Sequence, residues 1–184
     1  MRKALYFMGI LDDADVEWIA SQGHNISVQK DEVLIREGEP VDALFILLDG
    51  SLKVATGGKH IATLLSGEIV GEISFVDPRP PSATVTAEHD SHVLGIAQGL
   101  LRAKLAIDPW FASRFFQAVA TFLADRLRTT TSRLGYGSTA QEDDQNAGEE
   151  IDIRMMDSVA LAAVRFDKLL KRLRGATETS PPAP

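Results

Sequence analysis

Short apolar segments separated by turn residues fill the chain between Asn25 and Gln98. They are rich in branched aliphatic residues, which favour strands, and the pairs Asp49-Gly50 and Gly57-Gly58 favour tight hairpin turns. No helical spacing interrupts this stretch, so the pattern does not indicate a parallel sheet with helical crossovers. We therefore predict an antiparallel β-structure. Its predicted strands are Ile26–Gln29, Glu32–Arg36, Ala43–Leu48, Leu52–Thr56, His60–Leu64, Ala83–Ala87 and His92–Ile96.

Apolar residues take up helical spacing on both sides of the β-region. Before it, Met1–Leu11 and Asp12–Gln22 are predicted helices, and Gly23 closes the second. After it, Leu100–Ala106 is predicted to form a short helix and Trp110–Leu134 a long one, because apolar residues recur every three or four positions. The predicted fold class is therefore mainly β with flanking helices (α+β).

Composition divides the chain into four parts. Residues 1–134 form the predicted domain, and residues 135–152 are an acidic, flexible linker rich in Gly, Ser, Asn and Gln. Residues 153–174 are predicted to form an amphipathic helix with a single apolar seam, and residues 175–184 a disordered tail. The seam consists of Met156, Val159, Ala163, Phe166, Leu170 and Leu173.

The overall composition excludes several classes of protein. A formal net charge of -7 opposes broad attraction to phosphate backbones, and the absence of cysteine excludes disulfides and thiolate metal sites. The longest apolar run, Ala43–Leu48, is far shorter than the roughly 18 residues that a membrane helix needs. We therefore expect a cytoplasmic protein without a membrane span.

The sequence contains no recognisable catalytic or metal-binding motif. A Gly-x-Ser-x-Gly elbow, a Walker loop and a His-Glu-x-x-His motif are all absent. Among the four histidines, His24, His60, His89 and His92, the last two are three residues apart and would lie on opposite faces of an extended strand. A metal needs two or three converging ligands. We therefore expect no catalytic residue, no metal and no enzymatic activity.

Two stretches resemble the cyclic nucleotide-binding family. Leu34–Glu39, followed by Leu44–Leu47 and Gly50, is similar to the family's strand-turn-strand signature. Val70–Phe75, followed by Ser82–Ala87, looks like the family's phosphate-binding cassette. The resemblance implies an antiparallel eight-stranded β-roll (jelly roll) followed by a hinge helix. It also implies cyclic AMP or cyclic GMP as the ligand, with no further cofactor.

The cassette contains groups that suit a cyclic phosphate. This ligand is a monoanion, so its site needs converging backbone N–H groups and a cation. Gly71 permits close approach of the backbone, and Glu72 can accept a hydrogen bond from a ribose 2′-hydroxyl, or serve only as a structural carboxylate. Ile73 and Ser74 would open a short helix, and Ser82 and Ala83 would close the opposite side. The predicted ligand-binding residues are Gly71, Glu72, Ile73, Ser74, Arg79, Ser82, Ala83 and Thr84.

The cassette departs from the family pattern at the arginine that would bind the phosphate, because that position is Pro81. An arginine–phosphate pair contributes about 1.5–3 kcal/mol to binding. Arg79, two residues earlier, is one replacement for it; a different ligand, or none, is the alternative. Two functions therefore stay open. One is a noncatalytic sensor that transmits ligand binding through its C-terminal helices, and the other is a ligand-free degenerate domain that acts as an assembly scaffold.

The predictions about partners depend on the sequences of the two C-terminal helices. The apolar stripe of Trp110–Leu134 is wider than a single seam, which predicts a homodimer. The helix 153–174 is predicted to bind a protein partner, and its basic side is either a solvated face or a contact for an anionic partner. Transcription regulators of the family carry a helix-turn-helix after the long helix, and only one helix is predicted here, so we do not expect DNA binding. The basic residues are Arg165, Lys168, Lys171, Arg172 and Arg174.

Overall fold

The computed structural model describes residues 4–135 and 160–171. In this part of the chain, two four-stranded sheets are accompanied by six helices. The predicted class, a mainly β roll with flanking helices, is confirmed. In chain order, the elements are α1 (Ala4–Ile10), α2 (Asp13–Gln22), β1 (His24–Val28), β2 (Val33–Ile35), β3 (Ala43–Asp49), β4 (Ser51–Thr56), β5 (Lys59–Leu65), β6 (Ile69–Val70), α3 (Glu72–Val76), β7 (Thr84–Ala87), β8 (Ser91–Ala97), α4 (Gln98–Ile107), α5 (Pro109–Gly135) and α6 (160–171).

The two sheets are antiparallel throughout. The first has the strand order β1-β8-β3-β6, and the second has the order β2-β7-β4-β5. Gly50, with a φ of 94°, makes the turn from β3 to β4, and Gly57 and Gly58, with φ of 54° and 78°, make the turn from β4 to β5. These left-handed conformations favour glycine. The predicted hairpin at Gly57-Gly58 is confirmed, because β4 and β5 are paired. The predicted hairpin at Asp49-Gly50 is wrong, because the turn leads from β3 in the first sheet to β4 in the second, and these strands are not neighbours in either sheet.

Strand β3 lies at the centre of the fold and is buried on both faces. Leu44, Ile46 and Leu48 belong to a core shared with the helices, and Phe45 and Leu47 belong to a second core between the two sheets. The alternation follows from the strand period of two. The layers are therefore helices, first sheet and second sheet, which explains why the predicted strand at 43–48 is continuously apolar.

A buried ion pair fixes α2 against α5. Asp12 and Asp15 form a capping box at the start of α2, and Arg114 of α5 donates from Nε and Nη2 to the two carboxylate oxygens of Asp15, at 2.5 and 2.8 Å. Burial alone would raise the pKa of Asp15, but the hydrogen bonds from Arg114 and from the backbone of Asp12 hold it below its usual value. The pair therefore stabilises the fold above the unfolded-state pKa, and this contribution is lost as the pH falls through the lowered pKa.

Helix α6 packs on the chain's own N-terminal helices. Ala162 and Leu169 are fully buried in the helical core, with Phe166 and Leu170 half-buried beside them. Ala163, which the sequence places in the apolar seam, is exposed. The predicted seam is therefore wrong by one residue at this turn. Its members Met156, Val159 and Leu173 lie outside the described residues.

One interpretation of the basic residues in the helix 153–174 was a solvated face, and Arg165 does not fit it. Its side chain is only 12% exposed, and its Nε donates to Asp13 at 2.7 Å. Its Nη1 donates to backbone carbonyls near the end of α1, those of Gly9 at 3.2 Å and Leu11. The residue therefore caps α1 from α6. Arg172 and Arg174 lie outside the described residues.

Element boundaries differ from the prediction mainly at short elements. Strand β6, Ile69–Val70, was missed, and α4 begins at Gln98 rather than at residue 100. The predicted linker, apart from Gly135 at the end of α5, and the tail 175–184 lie outside the described residues. Within the described ranges, none of the helices combines the length and the apolar character needed to cross a membrane.

Candidate ligand-binding site

An open cavity of about 60 Å³ lies between the second sheet, α3 and α5. Ile35, Val54, Val70 and Val85 form its apolar wall. Its polar side is formed by residues 71–74, by residues 81–83 and by Arg126. The cavity therefore brings together most of the residues that the sequence proposed for ligand binding.

Gly71 sets the direction of the chain at the cavity wall. Its φ is 90°, and a Cβ atom on this residue would lie 2.7 Å from the carbonyl oxygen of Ala43 in β3. Both the backbone conformation and the close approach therefore require glycine. The chain turns here from β6 into α3, which begins at Glu72. The predicted short helix is present.

Glu72 forms the central ion pair of the site. Its side chain is 1% exposed, and its Oε1 accepts a hydrogen bond from Nη1 of Arg126 in α5. Burial raises the pKa of the Glu72 carboxyl above its usual value, although the Arg126 guanidinium acts in the opposite direction; the nearby Glu68 adds to the increase. The cavity and the long helix thus share one pair of opposite charges.

The segment that follows α3 places no cation in the cavity. Pro81 itself lines the wall, and its carbonyl accepts a hydrogen bond from the Gly38 N–H at 2.9 Å. Arg79 is 84% exposed, lies outside the lining residues and donates from Nε to Asp77 at 2.7 Å. This contact raises the pKa of Arg79 and lowers that of Asp77.

The other predicted site residues divide into two groups. Ile73, Ser74, Ser82 and Ala83 line the cavity, although the carbonyl of Ser82 is already bonded to the Thr56 hydroxyl at 2.7 Å. Thr84 is not among the lining residues, and its hydroxyl accepts a hydrogen bond from the Glu37 N–H at 3.1 Å. The predicted site residues thus all line the cavity, except for Arg79 and Thr84.

Sequence reasoning missed Arg126. The residue lies on the same stripe of α5 as the buried Phe115, Val119 and Phe122, at the next position of the helical repeat. A cation that continues a buried stripe needs a counterion. That spacing was the available signal, but it does not identify Glu72, 54 residues away, as the partner.

Helix α3 is held at both ends by arginines from the later helices. Arg126 bonds Glu72 at its start, and Nη2 of Arg102 in α4 donates to the Phe75 carbonyl at 2.8 Å near its end. The Phe75 ring also packs edge-on against Phe115 of α5, with centroids 5.5 Å apart. A displacement of α3 would therefore change its contacts with both α4 and α5.

The described residues contain no group of three or more His, Cys, Asp or Glu side chains placed to hold a metal. His89 instead lies 2.8 Å from the Ser51 hydroxyl, and His60 lies 3.1 Å from the hydroxyl of Thr63.

Comparison with known proteins identifies the domain. Residues 25–108 match the family model of the cyclic nucleotide-binding domain. The chain is 38% identical over 68 residues to a cGMP-dependent protein kinase of Toxoplasma gondii, which covers 37% of this chain and 7% of the kinase. It is 24% identical over 139 residues to the CRP-like cAMP-activated global transcriptional regulator of Mycobacterium tuberculosis, covering 73% of this chain and 60% of the regulator.

A solved structure shares the fold. A cyclic nucleotide-binding domain from Methylobacillus flagellatus superposes with a TM-score of 0.66 at 21% identity, covering 77% of this chain and 85% of that one. The architecture defines a β-roll domain with flanking helices. The family match makes the assignment specific: residues 25–108 belong to the cyclic nucleotide-binding domain family.

Proposed function

We propose that the chain is a noncatalytic regulatory module, acting in the cytoplasm, that binds cyclic AMP or cyclic GMP in its cavity. The observation that carries the proposal is the buried Glu72–Arg126 pair, which joins the cavity to the long helix. Two relatives named for cyclic GMP dependence and cyclic AMP activation support this ligand class. In the proposed complex, Glu72 accepts a hydrogen bond from the ribose hydroxyl, and the backbone at Gly71 approaches the phosphate.

Ligand binding would reach the helices through α3. Arg126, Arg102 and Phe75 connect α3 to α5 and α4. A ligand that contacts Glu72 changes the balance of this ion pair and favours one position of α3 over another. Two arrangements of α3 and α5 with different ligand affinities are sufficient to couple the cavity to a distant surface.

The proposal predicts calorimetric binding of at least one of the two cyclic nucleotides. Glu72→Ala removes the buried acceptor, so we expect its affinity to fall on the order of ten- to a hundredfold. Glu39→Ala, which removes an acid that is 65% exposed outside the cavity, is the matched control and should leave affinity unchanged. The absence of binding heat and of a thermal shift for the wild type with both nucleotides would reject the ligand proposal.

A ligand-free scaffold is the second candidate function. Two observations favour it: Pro81 replaces a cation in the cavity wall, and Arg126 already neutralises Glu72. On this alternative, the wild type binds neither nucleotide, and Glu72→Ala retains whatever association the wild type shows. The calorimetric series above therefore distinguishes the two functions with the same variants.

We further propose that the chain self-associates through its long helix, as the sequence predicts. Trp110 and Leu127 of α5 are 77% and 67% exposed, and Ile107 at the adjoining end of α4 is 81% exposed. Trp110→Ser should weaken the dimer on the order of thirtyfold or more, as loss of a central aromatic contact does. Ile61→Ser, at an apolar residue that is 50% exposed on β5, is the control. A sedimentation mass of 20.0 kDa for the wild type at micromolar concentration would contradict the proposal.

The protein partner predicted for residues 153–174 stays a proposal. Because α6 turns Ala162 and Leu169 toward its own chain, a partner would have to use the outward side. Val164 is 65% exposed there, and Lys168 and Lys171 are exposed as well. These residues define the surface that a binding experiment should target.

A further inference from the structure

The cation of the cavity comes from the long helix and not from the cassette. We propose that Arg126 is the residue that pairs with the ligand's negative charge, in place of an arginine at position 81. This inference rests on the proposed function, since it assigns a role within the same cavity. It specifies the ligand as an anion that is recognised from α5.

The cassette segment offers no competing cation in this structure. Pro81 occupies the wall with an apolar ring and has no charge to contribute. Arg79 lies outward, and its guanidinium and backbone N–H are both bonded to Asp77, the N–H at 3.2 Å. Bringing Arg79 into the cavity would require breaking these contacts and reorienting a segment that contains three prolines, at residues 78, 80 and 81.

Arg126 has the geometry of an anion-binding residue. It is the one cationic side chain among the described residues that line the cavity, and it is 25% exposed. Its guanidinium carbon lies 5.3 Å from the centroid of the Phe122 ring, and this cation–π contact helps to hold the guanidinium group in place. Its bond to Glu72 uses Nη1, and a guanidinium carries further donors on Nη2 and Nε. The Arg126 guanidinium can therefore donate to the Glu72 carboxylate and to a phosphate at the same time.

An entering anion changes the charge balance of the site. Glu72 and Arg126 cancel each other, so a monoanion adds one uncompensated negative charge beside the buried carboxylate. Glu68, which is 8% exposed in the loop before β6, adds to the electrostatic repulsion near Glu72. Burial already raises the pKa of Glu72, so the carboxyl is poised to take up a proton when Arg126 is shared. Affinity for the anion should therefore increase as the pH is lowered toward this pKa.

The test compares an anionic ligand with its neutral counterpart. Cyclic AMP and adenosine share the base and the ribose, and only the first carries the phosphate. Calorimetry of the wild type and of Arg126→Ala, Arg126→Lys, Arg79→Ala and Arg128→Ala, with both compounds, separates charge recognition from packing. Arg128 is an exposed arginine two residues further along α5, so its variant is the matched control. Cyclic GMP with guanosine is the parallel pair.

We expect Arg126→Ala to lose on the order of ten- to a hundredfold in affinity for the cyclic nucleotide while its affinity for the nucleoside changes little. Arg126→Lys should recover part of the loss, because the charge returns without the fork. Arg79→Ala and Arg128→Ala should bind as the wild type does. The increase in affinity at lower pH should disappear in Glu72→Gln.

Other outcomes would overturn the inference. If Arg126→Ala lost affinity for nucleotide and nucleoside equally, Arg126 would act only through packing. If only Arg79→Ala lost affinity for the nucleotide, the residue that binds the anion would be Arg79 of the cassette. Either result leaves the proposed function intact, since the wild type still binds. A wild type that binds neither cyclic nucleotide rejects the proposed function and this inference with it.

Discussion

Phe115→Ala is expected to lower the free energy of unfolding by about 3–5 kcal/mol, the usual loss for a fully buried phenylalanine. The ring is completely buried in the helical core and packs against Phe7 of α1, Phe75 of α3 and Phe111 of α5, with centroids 5.8, 5.5 and 5.8 Å away. Its removal leaves a cavity where three helices meet, and these rings cannot all move to fill it. Denaturant unfolding followed by circular dichroism measures the loss.

Phe116→Ala is the control for this change. The neighbouring ring is 48% exposed and contacts Phe115 only edge-on, at 5.7 Å. We expect a loss of less than about 1 kcal/mol, as is usual for a partly exposed residue. Equal losses in the two variants would show that the contact of α3 with α5 does not depend on this aromatic cluster. The proposed route from the cavity to the helices would then rest on the arginines alone.

The β-roll could be predicted because its signals are local. Strand alternation and glycine turns involve neighbouring residues, and β3 shows the result, with alternate residues buried in two different cores. Strand β6 was missed because two residues, Ile69 and Val70, are too few for a period to appear. It is defined by its pairing with β3, which is a tertiary contact.

The site was predicted in part for the same reason. The cassette residues from Gly71 to Ser74 are consecutive and lie together in the cavity wall. Arg126 joins them only because the long helix folds back over α3, and a one-residue ambiguity in helical register placed Ala163 rather than Ala162 in the core. Two adjacent alanines on a helix point only about 100° apart, so either can face the core. Which of them is buried depends on the elements that pack against the helix. Sequence spacing alone does not decide between them.

The second large effect is expected at Gly71, where two independent constraints meet. Its φ of 90° strains any side chain, and an added Cβ would lie 2.7 Å from the Ala43 carbonyl oxygen. That oxygen belongs to the backbone of β3, where Ala43 pairs with Ala97 of β8, so it cannot rotate away as a side chain would. The strain must therefore be relieved by moving the start of α3, which carries Glu72.

Gly71→Ala should for this reason cost about 2–4 kcal/mol of unfolding free energy and weaken cyclic nucleotide binding together. Gly58→Ala separates the two constraints, because Gly58 has a similar φ of 78° but open space around the position of its Cβ. We expect the control to cost about 1–2 kcal/mol and to bind as the wild type does. Urea unfolding and calorimetry of both variants measure the two effects. If Gly71→Ala kept full affinity, the position of α3 would not control the cavity, because the displaced helix would still present Glu72 to the ligand.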